Sequence, residues 1–310
     1  MRSDAVFEGG GVKGIALIGA ISEMEQHGYV WEQLAGTSAG SIVAALICAG
    51  YTSGELYKIF LKLNYLSFLK RKGLSRLPVI GSVYQLLQHK GLYPGDEIEH
   101  FIGHLLREKG IEKFGDLRKD KLRIIASDIT GGRMLILPDD LPSYDMDPLD
   151  FSIARAVRMS CSIPYFFQPA SIRKGRHEHL IVDGALLSNF PVWLFDVPNK
   201  PEYPTFGFRL SDQSKINQPN EIHSLPSFTK ALLATMLDAH DRIHVDQAHA
   251  VRTIFIPTNG IRTTQFDMKE DVKIQLYESG QSAAKKFLET WSFQKYVETF
   301  RAHPPPLRTI

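Results

Sequence analysis

The pentapeptide Gly36-Thr37-Ser38-Ala39-Gly40 places a serine among small residues in the pattern G-x-S-x-G. A serine so placed sits on a sharp strand-to-helix turn that exposes its hydroxyl for acyl transfer. With Gly and Ser each about 7% of an average protein, the pattern arises by chance in roughly one chain in ten of this length, so the flanks decide. Gly36, Gly40, Ser41, Ala44 and Ala45 permit a tight turn and a close helix approach, and the helix N-terminus directs its positive end towards Ser38. Upstream, Gly9-Gly10-Gly11-Val12-Lys13-Gly14 satisfies G-x-G-x-x-G, the fingerprint of dinucleotide sites. That fingerprint asks for an acid about 20 residues on to bind a ribose, and the chain offers Leu34 to Ser38 there instead. The loop is better read as a row of backbone N–H donors, the chemistry of an oxyanion hole.

A serine nucleophile needs a base. His223, His240, His244 and His249 follow Asp183, in the chain order of an α/β-hydrolase triad. Yet that fold sets several strands before its nucleophile, and no histidine here occupies a short loop after a strand end. Asp183 does, closing Leu180-Ile181-Val182 ahead of Gly184-Ala185.

The elements that must position these residues follow from the hydrophobic spacing. Ala5-Val6-Phe7 runs into the glycines, and Ile15, Leu17, Ile18, Ile21 and Met24 then recur at helical spacing until His27-Gly28. Gln33 to Thr37 leads into Ser38, and Ser41 to Ala49 reads as a helix closed by Gly50. Two strand-turn-helix units predict an α/β fold with a parallel sheet. Further strands are expected at Leu122–Ile129, Leu180–Gly184, Thr205–Phe208 and Arg252–Ile256. Helices are expected from Leu56 to about Leu69, from Phe228 to His249 and from Asp271 to Trp291. With neither repeat nor linker, one domain over residues 1–300 is expected, with 54–95 as a candidate basic helical cap and 301–310 as a flexible tail.

Gly9 to Gly14, Gly36 to Gly40 and Asp183-Gly184-Ala185, in this order and spacing, resemble the patatin-like phospholipase family. Ala126 to Gly132, Ser160 to Pro169 and Asn189-Phe190-Pro191 extend the likeness over most of residues 5 to about 290, and it looks most like the short bacterial members. Met159 and Ser162 depart from it, standing where relatives often carry alanines. The resemblance implies a three-layer α/β/α fold with a mostly parallel central sheet, and hydrolysis of fatty-acyl esters of phospholipids or lysophospholipids. It makes Ser38 the nucleophile and Asp183 the base of a dyad. Gly9, Gly10, Gly11 and Ala39 would supply the oxyanion hole, with Lys13, Gly14, Gly36, Gly40, Gly184 and Ala185 in support. Lys13 would either meet a lipid phosphate or stand solvated in the first turn. Neither cofactor nor metal is called for.

The remaining composition narrows the class. Lys plus Arg exceeds Asp plus Glu by only 36 − 34 = 2 across 310 residues, too little to hold the whole chain on nucleic acid. Cys48 and Cys161 make neither a disulfide framework nor a thiolate metal site, and the N-terminal acids argue against a secretory signal, so a cytoplasmic protein is expected. Between Leu56 and Gly95 stand Lys58, Lys62, Lys70, Arg71, Lys72, Arg76 and Lys90, with Tyr57, Phe60, Tyr65, Phe68 and Tyr84 interleaved and no Asp or Glu. That block suits an anionic membrane surface, or a helical insertion packed on the sheet with its lysines solvated. His240 and His244 lie one helical turn apart as in a zinc helix, but no third ligand is evident. Two competing functions stay open. One is a catalytically silent lipid- or nucleotide-binding module; the other is an acyltransferase using the same serine.

Overall fold

The computed structural model describes residues 1–70, 80–197, 200–211, 222–223, 227–228, 231 and 250–302. The expected helix from Phe228 to His249, with His240 and His244, lies almost wholly outside the described residues, as do Arg71, Lys72, Arg76 and the proline-rich tail.

An eight-stranded sheet forms the centre, in the order β10-β9-β1-β2-β4-β8-β7, with β5 also on β4. Its strands are β1 (Arg2–Phe7), β2 (Val30–Thr37), β4 (Leu122–Asp128), β5 (Arg133–Leu137), β7 (Ala170–Lys174), β8 (His177–Asp183), β9 (Thr205–Ser211) and β10 (Thr253–Pro257). A two-stranded ribbon pairs β3 (Gly91–Tyr93) with β6 (Tyr165–Phe167). From β10 across to β4 the pairing is parallel, whereas β5, β7 and β8 join antiparallel. Among the described residues the named helices are α1 (Gly14–Gln26), α2 (Ala39–Cys48), α3 (Ser53–Lys62), α4 (Ile80–His89), α5 (Asp96–Glu108), α6 (Ile153–Ser160), α7 (Glu270–Thr290) and α8 (Phe293–Ala302). The architecture is the three-layer α/β/α fold with a mostly parallel sheet.

The alternation of a strand explains the layers. Ala5 and Phe7 of β1 join the core shared with α1 and α2, while Val6 on the other face packs with Ala35 against Leu194 and Phe195. α1 runs along α7 so closely that a Cβ on Gly19 would lie 2.0 Å from the Tyr277 carbonyl oxygen, and one on Gly280 would lie 2.0 Å from that of Ala16. Two glycines thus set the depth of the helix that leads out of the glycine loop.

The helix expected to reach Leu69 ends at Lys62 instead. Leu63 turns extended, and the Asn64 side chain accepts the Leu66 N–H to start a separate 3-10 turn, Tyr65–Leu69. Apolar spacing continues across the break, which is why periodicity alone misses it. Among the described residues, no helix is long and apolar enough to cross a membrane.

Gly19→Ala is expected to destabilise the protein by about 1–3 kcal/mol through overpacking against α7. Gly54→Ala, in α3 with open space around its Cβ position, should be neutral or stabilising by about 0.5–1 kcal/mol. Urea midpoints of the two variants check this.

Candidate active site

β2 ends at Thr37, α2 begins at Ala39, and Ser38 between them has φ 51° and ψ −124°. That backbone is unfavourable for a side-chain-bearing residue, so neighbouring contacts must hold it. A Cβ on Gly36 would lie 2.3 Å from the Gly40 carbonyl, and one on Gly40 would lie 2.3 Å from the Phe7 carbonyl, so only glycine lets the turn close against β1. The Ser38 N–H donates to Ser160 Oγ at 2.8 Å, and Ser160 in turn donates to the Ile125 carbonyl at 2.6 Å. Ser41 Oγ donates to the Ser38 carbonyl at 2.6 Å.

Into this turn reaches Asp183, the last residue of β8. Ser38 Oγ donates to Asp183 Oδ2 at 2.7 Å, with the two residues 5% and 3% exposed. Asp183 Oδ1 accepts the Ala185 N–H at 2.9 Å, and the Asp183 N–H donates to the Ser162 carbonyl at 2.9 Å. Gly184 is wedged under β4, where a Cβ would meet the Ile125 carbonyl at 2.3 Å. Burial raises the Asp183 pKa to about 7, against a smaller downward pull from the Ala185 N–H and the Ser38 hydroxyl. A nearby carboxylate shows the contrast. At Asp128 burial also pushes upward, but Tyr144, the Gly131 N–H and His179 outweigh it and hold the carboxyl below its ordinary value. Two donors leave Asp183 basic; the donors gathered on Asp128 make it a structural anchor. The Cys161 thiol is pushed up by burial and then by the Asp183 charge, which keeps it protonated.

The glycine loop lies against this pair, since a Cβ on Gly9 would come within 3.2 Å of Ser38 Cβ. Its amides are not equivalent. The Gly9 N–H donates to the Asn189 carbonyl at 3.2 Å, so that hydrogen, expected among the oxyanion donors, is bonded within the fold. The N–H groups of Gly10, Gly11 and Ala39 have no acceptor among the described residues. Gly14 stands where the loop enters α1, with Ala39 Cβ 3.6 Å from its own Cβ position. Lys13 is buried beside the loop rather than solvated.

Three residues to which the sequence assigns no role hold the assembly. Glu8 is buried, accepts the Leu210 N–H and the Asn189 side-chain amide (3.4 Å), and pairs with Arg209 at 3.5 Å. It thereby ties β9 and Asn189 to the start of the glycine loop. Ser160 fixes the Ser38 amide from 122 residues away in sequence. Arg158, buried on α6, donates to Ser162 Oγ, to the Pro94 carbonyl and to the Gln168 carbonyl at 2.7 Å, and so braces the segment on which Asp183 hangs. Among the described residues, no group of three or more His, Cys, Asp or Glu is placed to hold a metal.

Comparison with known proteins places the chain. The family model for patatin-like phospholipase matches residues 5–196. An uncharacterised protein of Bacillus subtilis, YqhO, is 43% identical over 300 residues, covering 94% of this chain and 100% of its own. A probable lipid hydrolase, 463L, of Invertebrate iridescent virus 6 is 26% identical, covering 60% of this chain and 61% of its own. Among solved structures, VipD from Legionella pneumophila superposes with a TM-score of 0.57 at 15% identity, over 93% of this chain and 67% of its own. ExoU from the type III secretion system of Pseudomonas aeruginosa does so with a TM-score of 0.52 at 16% identity, over 96% of this chain and 53% of its own.

The raised Asp183 pKa fixes a sign for stability. The folded protein binds this proton more tightly than the unfolded chain, so the contribution is complete below pH 3.8 and is lost as pH rises through about 7. Asp183→Asn removes that loss and should stabilise the protein at pH 8 relative to wild type, by up to about 4 kcal/mol, with much less gain at pH 4. Asp4, also raised to about 7 by burial, stays in both proteins, so the difference between their denaturation midpoints isolates Asp183. Ser160→Ala, which strands the buried Ser38 N–H, should cost about 1–3 kcal/mol at either pH.

Proposed function

The chain belongs to the patatin-like phospholipase family, and from that premise we propose that it cleaves fatty-acyl esters of phospholipids or lysophospholipids through a Ser38–Asp183 dyad. The observation that carries the reading is the buried 2.7 Å hydrogen bond from Ser38 Oγ to Asp183 Oδ2 at a strained strand-to-helix turn. A probable lipid hydrolase among its relatives supports the substrate class.

Chemistry follows from which atoms are free. Asp183 takes the hydroxyl proton as Ser38 Oγ attacks the acyl carbonyl, and the carbonyl oxygen becomes an oxyanion. The unbonded N–H groups of Gly10, Gly11 and Ala39 are the donors available to stabilise it, each such donor contributing about 3–4 kcal/mol where essential. Collapse breaks the ester bond, and the departing alkoxide takes the proton from Asp183, leaving the acyl group on Ser38. Asp183 then takes a proton from water, whose oxygen attacks the acyl-serine; collapse releases the fatty acid and expels Ser38 Oγ, which takes that proton back from Asp183. The carboxylate serves as base in both halves, which a pKa near the working pH favours. A carboxyl of ordinary pKa would be ionised but weakly basic.

Intact mass after exposure to a long-chain fluorophosphonate tests this without choosing a substrate. Wild type should gain one adduct, Ser38→Ala none, and Asp183→Asn should react at least about a hundredfold more slowly. The rate of labelling should rise with pH to a plateau above about 7 as Asp183 ionises. Absence of an adduct on wild type in the presence of vesicles would overturn the reading in favour of a silent binding module.

A further inference from the structure

We propose that α4 and the adjoining β3–β6 ribbon dock the protein on an anionic lipid surface, which places that surface next to the dyad. The proposal deepens the hydrolase reading and takes the chemical class of its occupant from it.

Among its described side chains α4 leaves three large apolar ones in water. Gln85 faces inward, its Oε1 accepting the Gln168 side-chain amide at 2.8 Å, whereas Tyr84 is 50% and Leu87 75% exposed, with Leu86 also outward. Apolar surface left in water is unfavourable in proportion to its area, so a face of this kind marks a contact made elsewhere. At the end of α4, Lys90 (φ 61°) leads into Gly91, whose ladder partner is Tyr165, 53% exposed at φ 63°. Two side-chain-bearing residues thus hold left-handed backbones at one corner, an unfavourable arrangement where glycine would be relaxed. The result is a tyrosine ring and an ammonium turned to solvent where the helix runs into the ribbon. Aromatic rings and lysines of this kind suit the boundary between acyl chains and headgroups.

Charge selects the occupant. From Leu56 to Gly95 the chain carries lysines and arginines but no Asp or Glu. Two of the acids that follow are already engaged: Glu97 with Lys70 at 3.1 Å and Glu99 with Arg155 at 3.5 Å. Lys90 at the end of α4 is exposed, and its ammonium favours anionic lipid over a neutral surface. The patch is also coupled to the site. β6 follows the Ser160–Ser162 segment that holds Ser38 and Asp183, and the Gln168 N–H donates to the Tyr93 carbonyl at 2.8 Å.

The test uses the full chain carrying Ser38→Ala, so that vesicles are not consumed, co-sedimented with phosphatidylcholine vesicles with and without about one quarter phosphatidylglycerol. Binding to the mixed vesicles is expected. Leu87→Ser should weaken it about tenfold, and Lys90→Glu should abolish the preference for mixed over neutral vesicles, both with unchanged thermal midpoints. Failure of the parent to sediment, or equal binding by both variants, overturns the proposal. So does a parent that self-associates through Leu87, because the patch would then belong to a second copy. The two readings fail separately: lipid cleavage without vesicle binding removes the docking surface alone, and vesicle binding without fluorophosphonate labelling of wild type removes the hydrolase alone.

Discussion

Holding Ser38 at φ 51° at the end of a buried strand is the constraint on which the rest of the site depends. The conformation is unfavourable by about 1–3 kcal/mol unless its surroundings over-determine it, and each surrounding contact can be named. Gly36 and Gly40 let backbone meet backbone, Ser160 takes the stranded amide, and Ser41 covers the carbonyl. Thr37 Oγ1 donates to the Ser188 carbonyl at 3.0 Å, tying the end of β2 to the loop beyond Asp183. The turn is therefore held by elements on three sides, and the hydroxyl has little freedom except along its bond to Asp183.

Dryness is what makes that bond useful. A carboxylate in water, with its ordinary pKa, is a poor base for a serine hydroxyl. Asp183 lies under the turn with only the Ala185 N–H and the Ser38 hydroxyl as donors, and its pKa climbs to about 7. Asp128, equally buried, collects the Tyr144 hydroxyl, His179 and the Thr130 and Gly131 amides, and stays strongly ionised. What separates a base from an anchor here is the balance of burial against donors, which tips upward at Asp183 and downward at Asp128.

Much of this is legible in the sequence because glycine is a residue that backbone contact demands. The runs at Gly9 to Gly14 and Gly36 to Gly40, and the acid closing an apolar strand at Asp183, locate the turns before any coordinates. The division of labour among the glycine amides is not legible, since the Gly9 hydrogen bond depends on Asn189, far along the chain. The roles of Ser160, Arg158 and Glu8 are not legible for the same reason: the partners of a serine, arginine or glutamate are set by tertiary contact. The antiparallel entry of β8 was equally unreadable, because a short apolar run has the same spacing in either direction.

That antiparallel entry explains why the serine and the acid meet directly. β4 lies between β2 and β8, with Thr37 opposite Ile125 and Asp183 opposite Ala126. Two strand spacings, about 9–10 Å, separate the backbones that carry serine and acid. Ser38 and Asp183 close that distance with one 2.7 Å hydrogen bond, which leaves no room for an imidazole between them. Had β8 run parallel, its C-terminal residue would have continued towards the open edge where the turns lie. Running the other way, it stops beneath Ser38, and the 3-10 turn at Gly184–Leu186 carries the chain off under β4. The same direction of approach that buries the carboxylate therefore brings it into direct contact with the hydroxyl, so geometry and basicity have one cause.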